Sequence, residues 1–199
     1  IGTAAYAIAA GLSLALVVVL GFHETWKWDI LAGLVVLAVV ITPLAIEREE
    51  ESINGIPVIV VLAACVLGPA QAACVGLTGI AADFVWYRVQ TGHSIRRRAG
   101  LNNVLTYSLY PVVAGLIAGV VVSLDHGIAA FIGAVTVVYA GALLANVSLT
   151  ALFSWSEDGQ RFKDGLSVGP TFWAEILAAE LSAFGVFALE REGVWGLAI

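Results

Sequence analysis

The sequence predicts an all-α fold: a polytopic transmembrane helical bundle of six to seven segments, with one short broken or re-entrant helix before Pro69. The chain is 60% hydrophobic and 12% charged, whereas soluble domains are about half apolar and about a quarter charged. Its charge-free runs reach the length that crosses a bilayer. One of these runs contains Gly68 followed by Pro69, a strong break for a helix.

Seven apolar segments follow one another along the chain. The first is charge-free, and the second opens with Trp26 and Trp28, aromatic residues typical of a membrane interface. Residues 56–89 would be roughly 50 Å long as one straight helix, against a hydrocarbon core of ~30 Å. We therefore divide this run at Gly68–Pro69 and expect its first part to be short, tilted or re-entrant. The predicted segments are 3–22, 26–46, 56–67, 69–86, 101–124, 127–154 and 171–189.

Charge predicts the orientation of the bundle. Arg96, Arg97 and Arg98 form the strongest basic cluster, and the positive-inside rule places them in the cytoplasm. The acidic segment 47–52 is then expected outside, provided that residues 56–89 cross once. Ile1 and Ile199 are expected outside as well, whereas Arg161 and Lys163 are expected inside. Binding of an anionic lipid headgroup or a phosphate by the arginines is an alternative to a purely topological role.

Polar residues recur at helical spacing within the apolar segments, and groups in hydrocarbon are costly unless they face each other or a cavity. We expect a ligand cavity near the short helix before Pro69, lined by Asn103, Asn146 and Glu175. Glu180 falls on another face of the last segment. The alternative is hydrogen bonding between helices, with "GLIAG" (115–119) as a GxxxG packing face. The proposed ligand-binding residues are Gln71, Asn103, Thr106, Tyr110, Asn146 and Glu175.

Several classes of function are disfavoured. The net charge of −6 argues against a nucleic-acid partner. Cys65 and Cys74 do not form a CxxC pair, the three histidines lack metal-ligand spacing, and HExxH does not occur. We therefore expect a chain that is not an enzyme and carries neither a cofactor nor a metal. An intramembrane hydrolase built on Asp83 and Glu175 finds no support in their local sequence.

Four stretches resemble the bacterial membrane-associated sensor (MASE-type) domains that precede HD-GYP, HD or GGDEF output domains. They are "VIVVLAACVLGPAQAACVGLTGIAADFVW", "RRRAGLNNVLTYSLYPVVAGLIAG", "YAGALLANVSLTALFSWSEDGQRFKDGL" and "TFWAEILAAELSAFGVFALEREGVWGLAI". The resemblance spans residues 57–199 and implies that Asn103 and Asn146 take the family's asparagine positions. Thr106 stands where the family often has glutamine, which is a departure. The resemblance implies a sensor function without cyclic-dinucleotide chemistry in this chain.

The small-residue helices also resemble the substrate-binding components of energy-coupling-factor vitamin transporters, with Ala5 and Ala9 as a docking face. We therefore expect a non-catalytic sensor or ligand-binding module in a bacterial inner membrane, with the lipid bilayer, a small molecule and a homodimer or larger complex as partners. The alternatives are a substrate-capture subunit of a transporter and an accessory subunit of a membrane complex. Residues 1–199 are expected to form a single membrane domain, a piece of a longer protein, because methionine is absent and an apolar run starts again at Val194.

Overall fold

A computed structural model describes residues 2–42, 46–48, 51–53, 55–122, 128–158 and 172–193. Within these ranges the fold is all-α, apart from an antiparallel hairpin of two three-residue strands, β1 and β2. The elements in chain order are α1 (Thr3–Gly21), α2 (Trp28–Ile41), β1 (Ile46–Arg48), β2 (Glu51–Ile53), α3 (Ile56–Val66), α4 (Pro69–Thr91), α5 (Arg97–Val121), α6 (Ile128–Asp158) and α7 (Phe172–Glu192).

The outer surface of the bundle is apolar, as expected for a protein in lipid. Leu12 of α1 is 67% exposed and Val120 of α5 is 86% exposed. Among the described residues, four helices are long and apolar enough to cross a membrane: α1, α4, α5 and most of α6. The prediction of seven helices is thus confirmed in number, but fewer described helices than predicted have spanning length. The described helices are typical of an α-helical membrane protein, and α2 and α3 are shorter than a membrane span.

The short helix α3 is the centre of the bundle. It packs against α2, α4, α5, α6 and α7, and eight of its 11 residues are buried. Its sequence, IPVIVVLAACV, is apolar throughout, so all of its faces can lie in a core. With 11 residues it is about 16 Å long, roughly half of the hydrocarbon thickness.

Helices α3 and α4 form an antiparallel hairpin, and the chain reverses direction at Gly68. A Cβ atom built on Gly76 would lie 3.4 Å from Val60 Cγ2, and one on Gly79 would lie 3.3 Å from Ile56 Cδ1. As the residue number rises in α4, the facing residue number falls in α3. The condition that residues 56–89 cross once is therefore not met, because Gly68 allows a reversal where a proline alone would give a kink. The expected short or re-entrant first part of this run agrees with α3.

This reversal changes the expected orientation of the chain ends. We call the end of the bundle that holds Arg96, Arg97 and Arg98 the arginine end. Arg98 Nε donates a hydrogen bond of 2.7 Å to Thr3 Oγ1, which places the start of α1 at the arginine end rather than opposite to it. Tyr6 is hydrogen-bonded to Ser156, so the last turns of α6 lie there too.

The acidic segment is also on a different side from the one predicted. The last residue of α2 lies close to the start of α3, since a Cβ on Gly55 would lie 3.1 Å from Ile41 Cγ1. Because α3 runs antiparallel to α4, the β-hairpin between α2 and α3 lies on the arginine-end side of Gly68. Helix α2 ends at Ile41, and Thr42 after it still has helical backbone angles (φ −54°, ψ −48°). The predicted turn at 125–127 and the basic residues Arg161 and Lys163 lie outside the described residues.

Candidate functional site

A buried glutamine lies where the chain reverses between α3 and α4. The Gln71 side chain is fully buried. Its Nε2 atom lies 2.9 Å from the Leu67 carbonyl oxygen and 3.1 Å from the Thr25 carbonyl oxygen. Its Oε1 atom accepts a hydrogen bond of 3.1 Å from the Lys27 backbone N–H. One side chain therefore ties the α1–α2 loop to both helices at the break.

Two charged residues of the same loop cap the two helix ends at the break. Glu24 Oε1 accepts a hydrogen bond of 2.6 Å from the Ala70 N–H, and Glu24 Oε2 accepts one of 3.2 Å from the Gln71 N–H. Lys27 Nζ donates a bond of 2.8 Å to the Val66 carbonyl oxygen. An anion at a helix N-terminus and a cation at a C-terminus both match the helix dipoles. We call Glu24, Lys27 and Gln71 the polar clip.

Gly68 makes this arrangement possible. Its φ of +104° is strained for any residue with a side chain, and a Cβ there would lie 3.2 Å from the carboxyl carbon of Glu24. A second close approach holds the break from the other side. A Cβ on Gly115 of α5 would lie 2.6 Å from the Pro69 nitrogen, which is main chain and cannot move aside. The break is thus fixed by backbone contact as well as by the polar clip.

A small interior cavity lies between α3, α5 and α6. It is lined by Pro57, Val61, Tyr110, Tyr139, Ala142, Leu143 and Asn146. Its volume of about 10 Å³ is roughly the space that one water molecule requires. Tyr110 is 1% exposed, and its hydroxyl has no hydrogen-bond partner among the described residues. The cavity therefore combines an amide side chain with an unpartnered hydroxyl beside the short helix α3.

The buried amide of α5 is Asn102 rather than Asn103. Asn102 is 6% exposed, whereas Asn103 is half-buried and is not among the residues that line the interior cavity. Asn102, Thr106 and Tyr110 are spaced four residues apart and share the inward face of the helix. Thr106 Oγ1 is the other buried side-chain oxygen without a partner in the described part of the chain. Two predicted site residues, Thr106 and Tyr110, are therefore buried with unsatisfied hydroxyls.

The remaining predicted residues lie elsewhere. Glu175 belongs to α7, but its side chain lies outside the described residues. Gln71 belongs to the polar clip and is not one of the cavity residues. Arg96, Arg97 and Arg98 are exposed at the start of α5, where they can meet lipid headgroups or solvent. The predicted set thus divides into the cavity pair Tyr110 and Asn146, the neighbouring Thr106, and residues at other places.

Sequence reasoning missed Glu24 and Lys27. They stand in "HETWKWD", which we interpreted only as the aromatic mouth of the second helix. The available signal was a carboxylate and an ammonium close together in a short loop between apolar helices. The buried helix ends at Gly68–Pro69 have backbone groups that need hydrogen-bond partners of this kind. The pairing across 46 residues between Glu24 and Ala70 cannot be read from local pattern, since it depends on how the helices pack.

Comparison with known proteins does not add to this geometry: no family model matches the sequence, and neither a curated protein nor a solved structure matches the chain. Within the described residues, no group of three His, Cys, Asp or Glu side chains is placed to hold a metal ion. The chemistry that the site offers is hydrogen bonding from neutral hydroxyl and amide groups in an apolar interior. Such groups suit a small neutral polar molecule or a bound water.

Proposed function

We propose that this chain is a membrane-embedded sensor or ligand-binding module that does no chemistry itself. A small molecule or a membrane condition would change the packing of α3 against α5 and α6. The helices that follow in the chain would transmit this change in packing. The supporting observation is the pair of buried, unpartnered hydroxyls of Thr106 and Tyr110 beside the cavity that Asn146 lines. The resemblance to MASE-type sensor domains agrees with this proposal.

The alternative, in which the polar residues serve only to hydrogen-bond one helix to another, accounts less well for these hydroxyls. A side chain retained for interhelical hydrogen bonding should make that bond, as Ser13 and Ser108 do at 2.7 Å. An unsatisfied buried hydroxyl instead costs about 1–3 kcal/mol. Tyr110→Phe should therefore leave the fold intact or slightly more stable. A ligand that completes the hydrogen bonding would recover this cost on binding, which favours a pocket that opens to admit it.

The first test is the intact mass of the native protein that carries this segment, purified untagged from its own membrane. A sensor should extend past Ile199 into a soluble output domain, and a mass near 20.7 kDa would count against the signalling proposal. A chain that instead co-purifies with an ATPase would support the transporter alternative. Other stable membrane partners would support the accessory-subunit alternative.

The second test addresses the cavity. The activity of the output domain should change in Tyr110→Phe and Asn146→Ala, while both variants keep the unfolding transition of the wild type within about 1 kcal/mol. Thr136→Val is the matched control, because Thr136 is exposed on α6 and its hydroxyl bonds only to the Ile132 carbonyl of its own helix. An output that responds equally to all three substitutions would count against the interior cavity as the sensing site.

We also propose a bacterial inner-membrane location with the arginine end in the cytoplasm, following the positive-inside rule. The hydrogen bond from Arg98 to Thr3 then puts the start of α1 in the cytoplasm, and the polar clip lies toward the opposite face. Cysteines introduced at Gln90 and Thr25, both exposed, should react with an impermeant maleimide from opposite sides. Cys65 and Cys74 are first replaced by alanine. Labelling of both positions from one side would refute this orientation.

A further inference from the structure

We propose that the groove on the outer face of the bundle between α6 and α7 binds a lipophilic organic cation. The groove measures about 380 Å³, within the ~300–1,000 Å³ range of small-molecule sites. Its walls are almost wholly apolar and include three phenylalanines. The lining residues are Phe131, Ile132, Glu180, Ala183, Phe184 and Phe187. This groove differs in place and in polarity from the interior cavity.

Glu180 gives the groove its charge preference. It lies near the middle of α7 (Phe172–Glu192), between apolar neighbours on the same helix. The side chain is exposed and makes no hydrogen bond or ion pair within the described part of the chain. An unpaired acid among membrane helices is costly and marks a functional position by default. A carboxylate in an apolar groove is best matched by a cation that carries its own apolar surface.

The aromatic walls point to the same class of ligand. Phe131 and Phe187 meet edge to face, with ring centroids 6.3 Å apart. The guanidinium of Arg191 lies 5.9 Å from the centroid of the Phe187 ring, so this ring already takes part in a cation–π contact. Phe184 is 58% exposed, which leaves its ring free to cover a bound molecule. The groove therefore offers a carboxylate and several ring faces to one occupant.

The test uses the purified full chain in a neutral detergent, with tetraphenylphosphonium as the probe and tetraphenylborate, its anionic counterpart of the same shape, as the control. We expect saturable binding of tetraphenylphosphonium that weakens at least about tenfold, or ~1.4 kcal/mol, in Glu180→Gln. Glu190→Gln is the matched variant: Glu190 is also an exposed carboxylate of α7 but does not line the groove. It should bind as the wild type does.

A second variant keeps the proposal testable if Glu180→Gln unfolds. Phe184→Trp retains the carboxylate and fills the groove, so it should also weaken binding. Tyr110→Phe should leave tetraphenylphosphonium binding unchanged, which separates this groove from the proposed interior sensing site. Equal binding of tetraphenylborate, no saturable binding of the cation, or full binding by a folded Glu180→Gln protein would each overturn the proposal. In those cases the Glu180 carboxylate would instead be assigned to a contact with a basic helix of a partner protein.

Discussion

Replacing Gln71 with leucine tests whether the polar clip holds the helix break. Leucine has a similar volume, so the main loss is hydrogen bonding. The two protons on Nε2 are shared among the carbonyls of Thr25 and Leu67 and a Glu24 oxygen at 3.3 Å, and Oε1 accepts from Lys27. About three bonds at ~0.5–1.5 kcal/mol each give an expected loss of about 2–4 kcal/mol in the free energy of unfolding.

The measurement is denaturant unfolding of the purified protein in neutral detergent, followed by circular dichroism. Thr78→Val on the same helix is the control, because the Thr78 hydroxyl bonds only to the Cys74 carbonyl of its own helix, at 2.8 Å. It should shift stability by less than about 0.5 kcal/mol. If Gln71→Leu costs no more than Thr78→Val, the clip does not stabilise the break, and backbone packing alone accounts for it.

Three further predictions concern a close backbone approach, an interhelical hydrogen bond and a helix-capping charge. Gly115→Ala should lower the free energy of unfolding by about 1–3 kcal/mol in thermal or denaturant unfolding, because the added Cβ overlaps the α4 backbone. Gly119→Ala is the control: nothing lies within 4 Å of its Cβ position, so it should be neutral or stabilise by up to about 1 kcal/mol. Equal effects of the two substitutions would contradict the close approach. A double-mutant cycle of Ser13→Ala and Ser108→Ala should show coupling of about 0.5–1.5 kcal/mol, and zero coupling would refute their hydrogen bond. Lys27→Met should lower the free energy of unfolding by less than about 1 kcal/mol, because Lys27 is exposed. Lys27→Arg keeps the positive charge and should restore the stability. An equal loss in both variants would exclude a charge effect.

Much of the fold could be predicted from apolar run length and from two breaking residues. The first helix was expected at residues 3–22 and occupies Thr3–Gly21, and the short helix before Pro69 was expected and found. These features depend on local chemistry, namely hydropathy and the constraints of proline and glycine. The direction of α3 was not predictable in this way, because Gly68 is compatible with either a kink or a reversal, and only packing against α4 decides between them.

The candidate site was predictable in kind but not in detail. Helical spacing correctly grouped Thr106 with Tyr110 on one face, yet placed Asn103 there in place of Asn102. A single residue is about 100° of helix rotation, so a small error in phase selects the wrong neighbour. The partners of Gln71 lie in a loop more than 40 residues away in sequence. Contacts of this kind follow from the arrangement of whole helices.

The central position of α3 has a consequence for assembly during synthesis. Four of the five helices that surround it, α4 to α7, leave the ribosome after it does. For that interval its apolar faces meet lipid, which its uncharged sequence permits. The polar clip needs only residues up to Gln71, so it can form as soon as α4 begins. The nascent chain would thus already hold the turn between α3 and α4, and the later helices would pack around α3 in the order of their synthesis.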